Sequence, residues 1–263
     1  MTSNPFERSL DRLPAVSLKQ VTDTAPLMRR YDRKYAAAAS RADEFITRLD
    51  DDWRVLSIDD ERSPRYHTIY FDDGARTSYR DHVQGRRPRF KVRTRTYEDG
   101  TSYLEVKSKA GRGQTDKSRI PRVAETSPVL TEDEHAWLNS LLPDFDTRTL
   151  RRSLSVDCRR ITLHSPTHRE RITIDHSMNV ALVDEWTPLL AGGVVIETKS
   201  ETFRSRASHV LNDLDIRGVS FSKYCAGLSA LDPAVHPRIR IAAERAVSAG
   251  AGSRISSDPT TPW

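Results

Sequence analysis

The sequence predicts a protein built of antiparallel β-strands with a few helices, which is either a β-barrel or an α+β fold. Seven segments alternate polar and apolar residues with a period of two, the pattern of a strand with one buried face. Three other segments begin with residues that favour the start of a helix. The 263 residues contain no internal repeat and no long linker rich in Pro or Ser, so we expect one main domain.

Turn residues separate the predicted strands. Glu98, Asp99 and Gly100 form the turn of one hairpin, and the segment at 165–168 (SPTH) forms the turn of another. Because short turns join antiparallel neighbours, the predicted sheet is largely antiparallel. In chain order, the predicted strands are 29–35, 65–73, 87–97, 101–109, 153–163, 169–177 and 193–199.

Three helices are predicted between these strands from the residues that would cap their N-termini. Ser40 is followed three residues later by Asp43, and Thr131 is followed by Glu134, so both segments resemble capping boxes. A third helix is predicted to begin at Ser200.

The ends of the chain differ in composition from its centre. We expect an N-terminal arm at 1–24, loose or a short helix, a main domain at 25–232, and a C-terminal helix or disordered tail at 233–263. From Ala246 onward the residues are small and polar, so they cannot bury enough apolar area to offset the entropy of ordering.

Charged residues occupy one face of several predicted strands. Because side chains alternate across a strand, Lys91, Arg93 and Arg95 share one face, and Phe90 and Val92 share the other. Like charges placed side by side destabilise an open, solvated sheet face, so a closed barrel with a charged interior that binds a polyanion explains the pattern better. The same faces recur in other strands as Arg30, Asp32 and Lys34; Tyr66, Thr68, Tyr70 and Asp72; Glu105, Lys107 and Lys109; Arg171, Thr173 and Asp175; and Glu197 and Lys199.

Composition narrows the class of protein further. The formal net charge is +5 and the pI is about 9.3, which suits an anionic partner. Cys158 and Cys225 are the only cysteines, too few for a disulfide scaffold or a cysteine metal site, so we expect a reducing cytoplasm. No stretch approaches the roughly 18–20 apolar residues of a membrane span, so no integral membrane segment is expected.

The strand motifs, in their order along the chain, resemble the VTC-type polyphosphate polymerase domain of the triphosphate tunnel metalloenzyme superfamily, over about residues 25 to 230. The resemblance implies an α+β fold, a closed eight-stranded antiparallel β-barrel with a few flanking helices, whose interior of Arg and Lys holds a triphosphate or a polyphosphate chain. The motifs are RYDRKY, HTIYFDD, RFKVRTRTY, YLEVKSK, KSRIP, ERITIDHS, VVIETKS and SFSKYCAG.

The same resemblance implies the roles of individual residues. Glu197 is the expected ligand of Mn²⁺ or Mg²⁺, with Glu105 as a second, since these ions need only one or two carboxylates beside the substrate's phosphates. Apart from the resemblance, Asp72 and Asp175 could either bind metal or pair with Arg171 and other tunnel cations, and pairing is favoured because arginines inside the tunnel must be balanced when no phosphate is bound. The phosphate ligands of the catalytic centre are expected to be Lys34, Arg93, Arg95, Lys107, Arg160, Arg171 and Lys223. Further substrate contacts are expected from Arg30, Lys91, Lys109, Lys117, Arg119 and Lys199.

Two features of the sequence bear on these assignments. Cys158 stands where the family has the Tyr of a Tyr-x-Arg motif, two residues before Arg160. Lys117 and Arg119 follow a flexible GRGQTD loop, which is not a P-loop because Asp116 stands where a P-loop requires Gly. The segment is predicted to be either a mobile basic lid at the tunnel entrance or an ordinary solvated loop.

The predicted function is synthesis of polyphosphate from the γ-phosphate of ATP or another triphosphate, and two alternatives stay open. One is a tripolyphosphatase or nucleoside triphosphatase that uses the same tunnel with water as acceptor. The other is a non-catalytic polyphosphate-binding module. The carboxylate of Glu197 among cations would repel phosphate unless a metal ion intervened, which favours an enzyme.

The same sequence patterns also indicate which partners the protein binds. Nucleic acid is not expected, because no stacking platform of exposed aromatic residues and no basic groove-binding helix is evident. Any attachment of this cytoplasmic protein to a membrane, and any control of its activity, would require a membrane or regulatory partner.

Overall fold

The computed structural model describes residues 6–23, 31–109, 115–122 and 129–251. These residues form one sheet of eleven strands and eight α-helices. The strands are β1 (Ala15–Val16), β2 (Tyr31–Ala38), β3 (Arg54–Leu56), β4 (Arg65–Asp72), β5 (Arg89–Tyr97), β6 (Ser102–Lys109), β7 (Thr115–Pro121), β8 (Arg151–Ser165), β9 (Glu170–Ala181), β10 (Thr187–Pro188) and β11 (Gly193–Ser200). The helices are α1 (Glu7–Asp11), α2 (Leu18–Asp23), α3 (Ala39–Thr47), α4 (Thr77–Val83), α5 (Glu132–Leu141), α6 (Arg206–Asp213), α7 (Lys223–Leu231) and α8 (Arg238–Ala251).

Eight strands form the body of the sheet, in the order β2, β11, β9, β8, β4, β5, β6, β7, and neighbours in this order are antiparallel. The sheet curls, which brings strands from its two sides towards each other. Burial lowers the pKa of Lys34 on β2, and Lys107 on β6, at the opposite side of the sheet, lies close enough for its charge to lower this pKa further. We call the concave face of these eight strands the trough.

The α+β class and the antiparallel pairing are confirmed, but the prediction of a closed eight-stranded barrel is wrong. β2 and β7 do not pair with each other. The chain that precedes α7 instead runs along the edge of β2, where the Val219 N–H donates to the Lys34 carbonyl at 2.8 Å and Gly218 forms a β-bridge with Tyr35. This segment satisfies backbone groups of β2 that a closing strand would have used.

The convex face of the sheet is covered by helices over apolar clusters. Ile174 of β9 and Ile196 of β11 are completely buried with Phe45 of α3. At the other side of the sheet, Val92 of β5 packs in a cluster with Leu138 of α5. This burial is what period-two alternation predicts, with apolar residues outside the trough and charged residues inside it.

One end of the trough is apolar as well. Val156 of β8 and Val180 of β9 are buried in one cluster with Tyr224 and Leu228 of α7, and Ala243 of α8 belongs to the same cluster. Burying one aliphatic side chain of this kind stabilises the fold by about 1.5–3 kcal/mol. Helices α7 and α8 therefore fill this end and leave the other end, which is polar, for a ligand.

The structure confirms one predicted helix start and corrects two. α5 begins after Thr131, whose hydroxyl accepts from the Glu134 N–H in a capping box. α3 begins at Ala39, one residue before the predicted serine, and without a side-chain cap. α6 begins after Ser205, because Ser200 continues β11 and takes part in its pairing with β2.

The described part of the predicted N-terminal arm contains α1 and α2, and Phe6 and Leu10 are buried in the convex-face core. At the other end, α8 continues to Ala251, so the first residues of the predicted tail are helical, and the rest of that tail lies outside the described residues. No helix within the described ranges is long and apolar enough to cross a membrane.

Candidate active site

The polar end of the trough brings most of the predicted site residues onto one surface. Along each strand every second side chain points into the trough, and the antiparallel register places these side chains beside those of the neighbouring strands. The cations on these strand faces, with one from the start of α7, are Lys34, Lys91, Arg93, Arg95, Lys107, Lys109, Lys117, Arg119, Arg160, Arg171, Lys199 and Lys223. The predicted ligand Arg30 lies outside the described residues.

Asp175 on β9 is held between two of the predicted phosphate ligands. Arg160 donates Nε–H to Oδ1 at 2.6 Å and Nη2–H to Oδ2 at 2.9 Å, and Lys223 also donates to Oδ2. Although burial opposes ionisation, Arg160 and Lys223 hold the pKa of Asp175 well below its usual range. Arg159 lies outside this cluster and donates to the Ser63 carbonyl at 2.7 Å, so the structure brings Arg160, and not Arg159, to the site.

Glu197 on β11 forms the second carboxylate centre. Its Oε2 lies 2.8 Å from Lys199 Nζ, and its backbone pairs with Lys34, whose Nζ donates to the Phe221 carbonyl at 2.8 Å. Burial raises the pKa of Glu197, but Lys199 and Lys34 outweigh this effect and hold the pKa well below its usual range. Burial lowers the pKa of Lys199 to about 8, against the opposing effect of Glu197.

Glu105 on β6 forms the third centre and is 1% exposed. Arg93 Nη2 lies 2.7 Å from its Oε2, and Lys117 Nζ lies 2.6 Å from its Oε1. Burial raises the pKa of Glu105, but Arg93, Arg95 and Lys117 lower it to about 2. Arg93 also donates to the Tyr70 hydroxyl at 3.4 Å, so one guanidinium links β4, β5 and β6.

A histidine that the sequence analysis did not assign to the site holds one of the lysines. His82 Nδ1 of α4 lies 2.7 Å from Lys91 Nζ. Burial lowers the pKa of His82 to about 3, and the charge of Lys91 lowers it as well, so the ring is neutral and Nδ1 accepts from the ammonium. Burial also lowers the pKa of Lys91 to about 8.

Arg95 Nε and Thr173 Oγ1 are buried in the trough without a hydrogen-bond partner among the described residues. Thr173 pairs in register with Glu197 on one side and with Thr162 on the other, so its hydroxyl lies in the row that contains the Glu197 carboxylate. Buried polar groups are normally paired, and unpaired ones in a pocket mark positions that a ligand or water fills.

The structure corrects two expectations about particular residues. Asp72 does not pair with tunnel cations. It accepts from the Tyr224 hydroxyl at 2.7 Å and from the Ser78 and Tyr79 N–H groups at 2.9 and 3.0 Å, so it anchors α4 and α7 to the sheet. Burial raises its pKa.

The expected mobile lid is a strand in its described part. Lys117 and Arg119 lie in β7, where Lys117 pairs in register with Lys107 and Arg119 pairs with Glu105. Residues 110–114 of the preceding loop lie outside the described residues. Arg171 lies on the trough face of β9, in register with Lys199 and His164.

The carboxylates differ in how well they could hold a divalent metal ion. No group of three or more His, Cys, Asp and Glu side chains able to bind a metal occurs in the described ranges. Both oxygens of Asp175 and of Glu105 face cations, and each of these carboxylates pairs with two cations, whereas the ion pair described for Glu197 is with one cation, Lys199. The donor set therefore fits Mg²⁺ or Mn²⁺ only if phosphate oxygens of a substrate supply further ligands to an ion on Glu197.

Sequence reasoning missed several residues of this surface. Tyr97 and Tyr103 continue the trough faces of β5 and β6 beyond the cations, and their parity could have identified them. His82 carries no sequence signal, and the alternation that places Thr173 on the trough face does not show that its hydroxyl is unpaired, because both features depend on contacts between distant segments.

Fold and site together define an open antiparallel trough that concentrates cations around two buried carboxylates, Glu105 and Asp175, and the partly buried Glu197. The family model of the VTC domain matches residues 29–232. The chain therefore belongs to the VTC domain family, as its strand motifs predicted.

Comparison with solved structures finds proteins of low sequence identity. A candidate adenylate cyclase from Bacillus halodurans is 12% identical, with a TM-score of 0.44, over 74% of this chain and 96% of that one. A candidate adenylyl cyclase from Hippeastrum, described as having a dominant triphosphatase activity, is 12% identical, with a TM-score of 0.46, over 77% of this chain and 96% of that one. A search of curated proteins finds no significant match.

Proposed function

We propose that this VTC domain synthesises inorganic polyphosphate by transferring the γ-phosphate of a nucleoside triphosphate such as ATP to a phosphate chain in the trough. The observation that carries the proposal is the excess of cations over carboxylates on the single surface of the trough. The carboxylates Glu105, Asp175 and Glu197 neutralise only part of that charge. A phosphate chain supplies the remaining negative charge along the whole row.

Phosphoryl transfer needs positioning and charge neutralisation more than covalent chemistry by the protein. Arg93 and Arg160 offer planar forks that suit two phosphate oxygens at once, and Lys34 and Lys223 act as point charges. In the structure these donors bind Glu105, Asp175 and a backbone carbonyl. Entering phosphate oxygens take over donors that are already oriented, which lowers the cost of ordering them.

Glu197 is the residue proposed to hold a divalent ion together with phosphate oxygens, since its carboxylate is ionised and its described ion pair is with a single cation, Lys199. When bound, Mg²⁺ or Mn²⁺ would neutralise charge on the transferred group. Glu105 is proposed only as a second ligand, because Arg93 and Lys117 already occupy it.

Synthesis is favoured over hydrolysis by the length of the cation row. Beyond the centres that could hold a triphosphate, the row continues along β5 and β6 through Lys91, Lys107 and Lys109. A triphosphatase that uses water as acceptor does not need this second stretch, whereas a polymerase must hold the chain that accepts the phosphate. Hydrolysis by the same surface remains the second candidate function.

The test is a turnover assay with ATP and Mn²⁺ or Mg²⁺ that measures both free phosphate and chain length on a gel. We expect long chains from the unaltered protein and none from Arg93→Ala, Arg160→Ala or Glu197→Gln. Arg159→Ala is the matched control, because this neighbouring arginine binds Ser63 outside the site. Free phosphate without chains would assign a triphosphatase, and tight polyphosphate binding without turnover would assign a binding module.

A further inference from the structure

The trough changes character at the end opposite α7. On β5 the trough-facing positions run Lys91, Arg93, Arg95 and then Tyr97. On β6 the residue next to Glu105 on the same face is Tyr103. Tyr66 and Tyr97 are thus in register on neighbouring strands, and Tyr103 on the third strand is in register with Arg95, one trough-facing position earlier. We call Tyr66, Tyr97 and Tyr103 the tyrosine cluster.

The three rings contact one another edge to face. Tyr66 and Tyr97 have ring centroids 5.1 Å apart at an interplanar angle of 61°, and Tyr97 and Tyr103 have centroids 6.0 Å apart at 90°. Tyr66 is 8% exposed, whereas Tyr97 and Tyr103 are half-buried. The two outer rings are therefore accessible from the open end of the trough.

Guanidinium groups of the phosphate site lie against the same rings. The Cζ atoms of Arg160 and Arg95 lie 5.1 and 5.7 Å from the Tyr66 centroid. Arg119, at the edge of the sheet, lies 4.5 Å from the Tyr103 centroid. The tyrosine cluster is thus continuous with the cations that would hold phosphate, and its outermost ring carries an exposed cation.

We propose that the tyrosine cluster binds the base of the nucleoside triphosphate, with the base stacked on the face of Tyr103 and its edge against Tyr97, whose ring is perpendicular. Arg119, which lies over the Tyr103 ring, would move to cover the other face of the base. This inference rests on the proposed function, because it assumes that the triphosphate lies on the cations next to the cluster. Tyr97 follows Arg95 by two residues, which is about 7 Å along a strand and leaves space for one ribose between phosphate and base.

The chemistry of the cluster defines what it would recognise. Flat aromatic rings and a guanidinium bind the faces of a base and do not read its hydrogen-bonding edge. We therefore expect purines to bind more tightly than pyrimidines, because they stack over a larger area, and adenine and guanine to bind almost equally. Inorganic tripolyphosphate, which has no base, should not depend on the cluster.

Calorimetric titration without divalent metal tests this directly, with ATP, UTP and tripolyphosphate as ligands. For Tyr103→Ala we expect affinity for ATP to fall about tenfold, since stacking on one aromatic ring contributes about this much, and affinity for tripolyphosphate to stay within about twofold. Phe203→Ala is the matched control. Phe203 is 56% exposed and stacks with Arg33, which faces away from the trough, so ATP binding should not change.

Equal losses for ATP and tripolyphosphate, or no loss for ATP, would overturn the nucleobase site. Unchanged tripolyphosphate binding reports that the variant is folded, and Tyr103→Leu, which keeps apolar volume but lacks the ring, repeats the test if the alanine variant does not fold. Because the titration involves no turnover, its outcome is independent of whether the protein makes polyphosphate. If the unaltered protein makes polyphosphate chains from ATP, but Tyr103→Ala shows no loss of affinity that is specific to ATP, only the nucleobase site is rejected and the proposed function stands.

Discussion

The two ends of the trough use the same strands for opposite purposes. At the polar end, β8 contributes Arg160, which pairs with Asp175, and β11 contributes Glu197, which pairs with Lys199. At the other end, the same strand faces carry Val156 and Val195, packed in the cluster that includes Leu228 of α7. A few residues along one strand therefore separate a charged binding surface from a hydrophobic core.

The boundary between the two ends explains the strength of the ion pairs. α7 presents Tyr224 and Leu228 to the apolar end, and its first residue, Lys223, to Asp175. The apolar cluster excludes water from one side of these charges, and Coulomb attraction is stronger where water is excluded. The polar end is thus held together by charge balance and the apolar end by packing, and substitutions should affect the two differently.

The largest effect is expected from Asp175→Asn at the polar end. The substitution leaves Arg160 and Lys223 buried without their counter-charge, which should lower the free energy of unfolding by about 3–5 kcal/mol in urea denaturation. Tripolyphosphate should restore much of this loss, because phosphate replaces the carboxylate. Glu201→Gln, which breaks the exposed pair with Arg169, should cost only about 0.2–1 kcal/mol. A loss no larger than this control would show that the polar end does not depend on charge balance.

A smaller effect is expected from Gly227→Ala at the apolar end. A Cβ atom at Gly227 would lie 2.8 Å from Leu154 Cδ2 and 2.8 Å from Val180 Cγ1, closer than carbon atoms approach, so α7 would have to move away from the sheet. Overpacking of this kind costs about 1–3 kcal/mol, measured again by urea denaturation. Gly74→Ala, where nothing lies within 4 Å, should cost far less. If both alanine variants are equally stable, the packing of α7 on the sheet is looser than described.

The polar end could be predicted from the sequence far better than the apolar end. Period-two alternation alone places Arg93, Arg95 and Lys107 on one face, because strand geometry fixes side-chain direction locally. Membership of the VTC domain family was also predicted from short motifs in order. The cover over the apolar end could not be predicted, because nothing within α7 indicates which face of the sheet it packs against.

The predictions from sequence that proved wrong also failed because they depend on tertiary contacts. Asp72 shares the parity of the trough face, but its partners are the hydroxyl of Tyr224 and the N–H groups at the start of α4, which come close only through tertiary packing. The barrel was predicted to be closed from the charged strand faces and the family resemblance, but alternation does not show which strand edges meet. The segment around Gly218, which runs along the edge of β2, has no strand pattern at all.

Changing the pH should move binding and stability in opposite directions. Burial lowers the pKa of Lys91, Lys117 and Lys199 to about 8, whereas a lysine in the unfolded chain titrates near about 10.4. Between these values the unfolded chain binds more protons than the folded protein, so stability without ligand should rise with pH. Affinity for tripolyphosphate should fall about tenfold per lysine that loses its charge, because each charged hydrogen bond contributes about 1.5 kcal/mol or more.

Titration calorimetry at about pH 7 and about pH 9.5, with urea denaturation at the same values, measures both trends. Lys199→Arg is the informative control, since the guanidinium stays charged at both values and should make the fall in affinity smaller. Stability and affinity that change together would contradict the lowered pKa values.

The smallest effect concerns Thr173, whose buried hydroxyl has no partner among the described residues. Thr173→Val replaces the hydroxyl by a methyl group of similar shape, so the polar end would lose one unpaired polar atom. The free energy of unfolding should rise by about 1 kcal/mol in urea denaturation, because an unsatisfied buried group is costly. Affinity for tripolyphosphate should fall severalfold if that hydroxyl donates to a phosphate oxygen. A loss of stability in place of a gain would show that the hydroxyl already binds water in the free protein, and that ligand binding at this point displaces solvent from the row of Glu197.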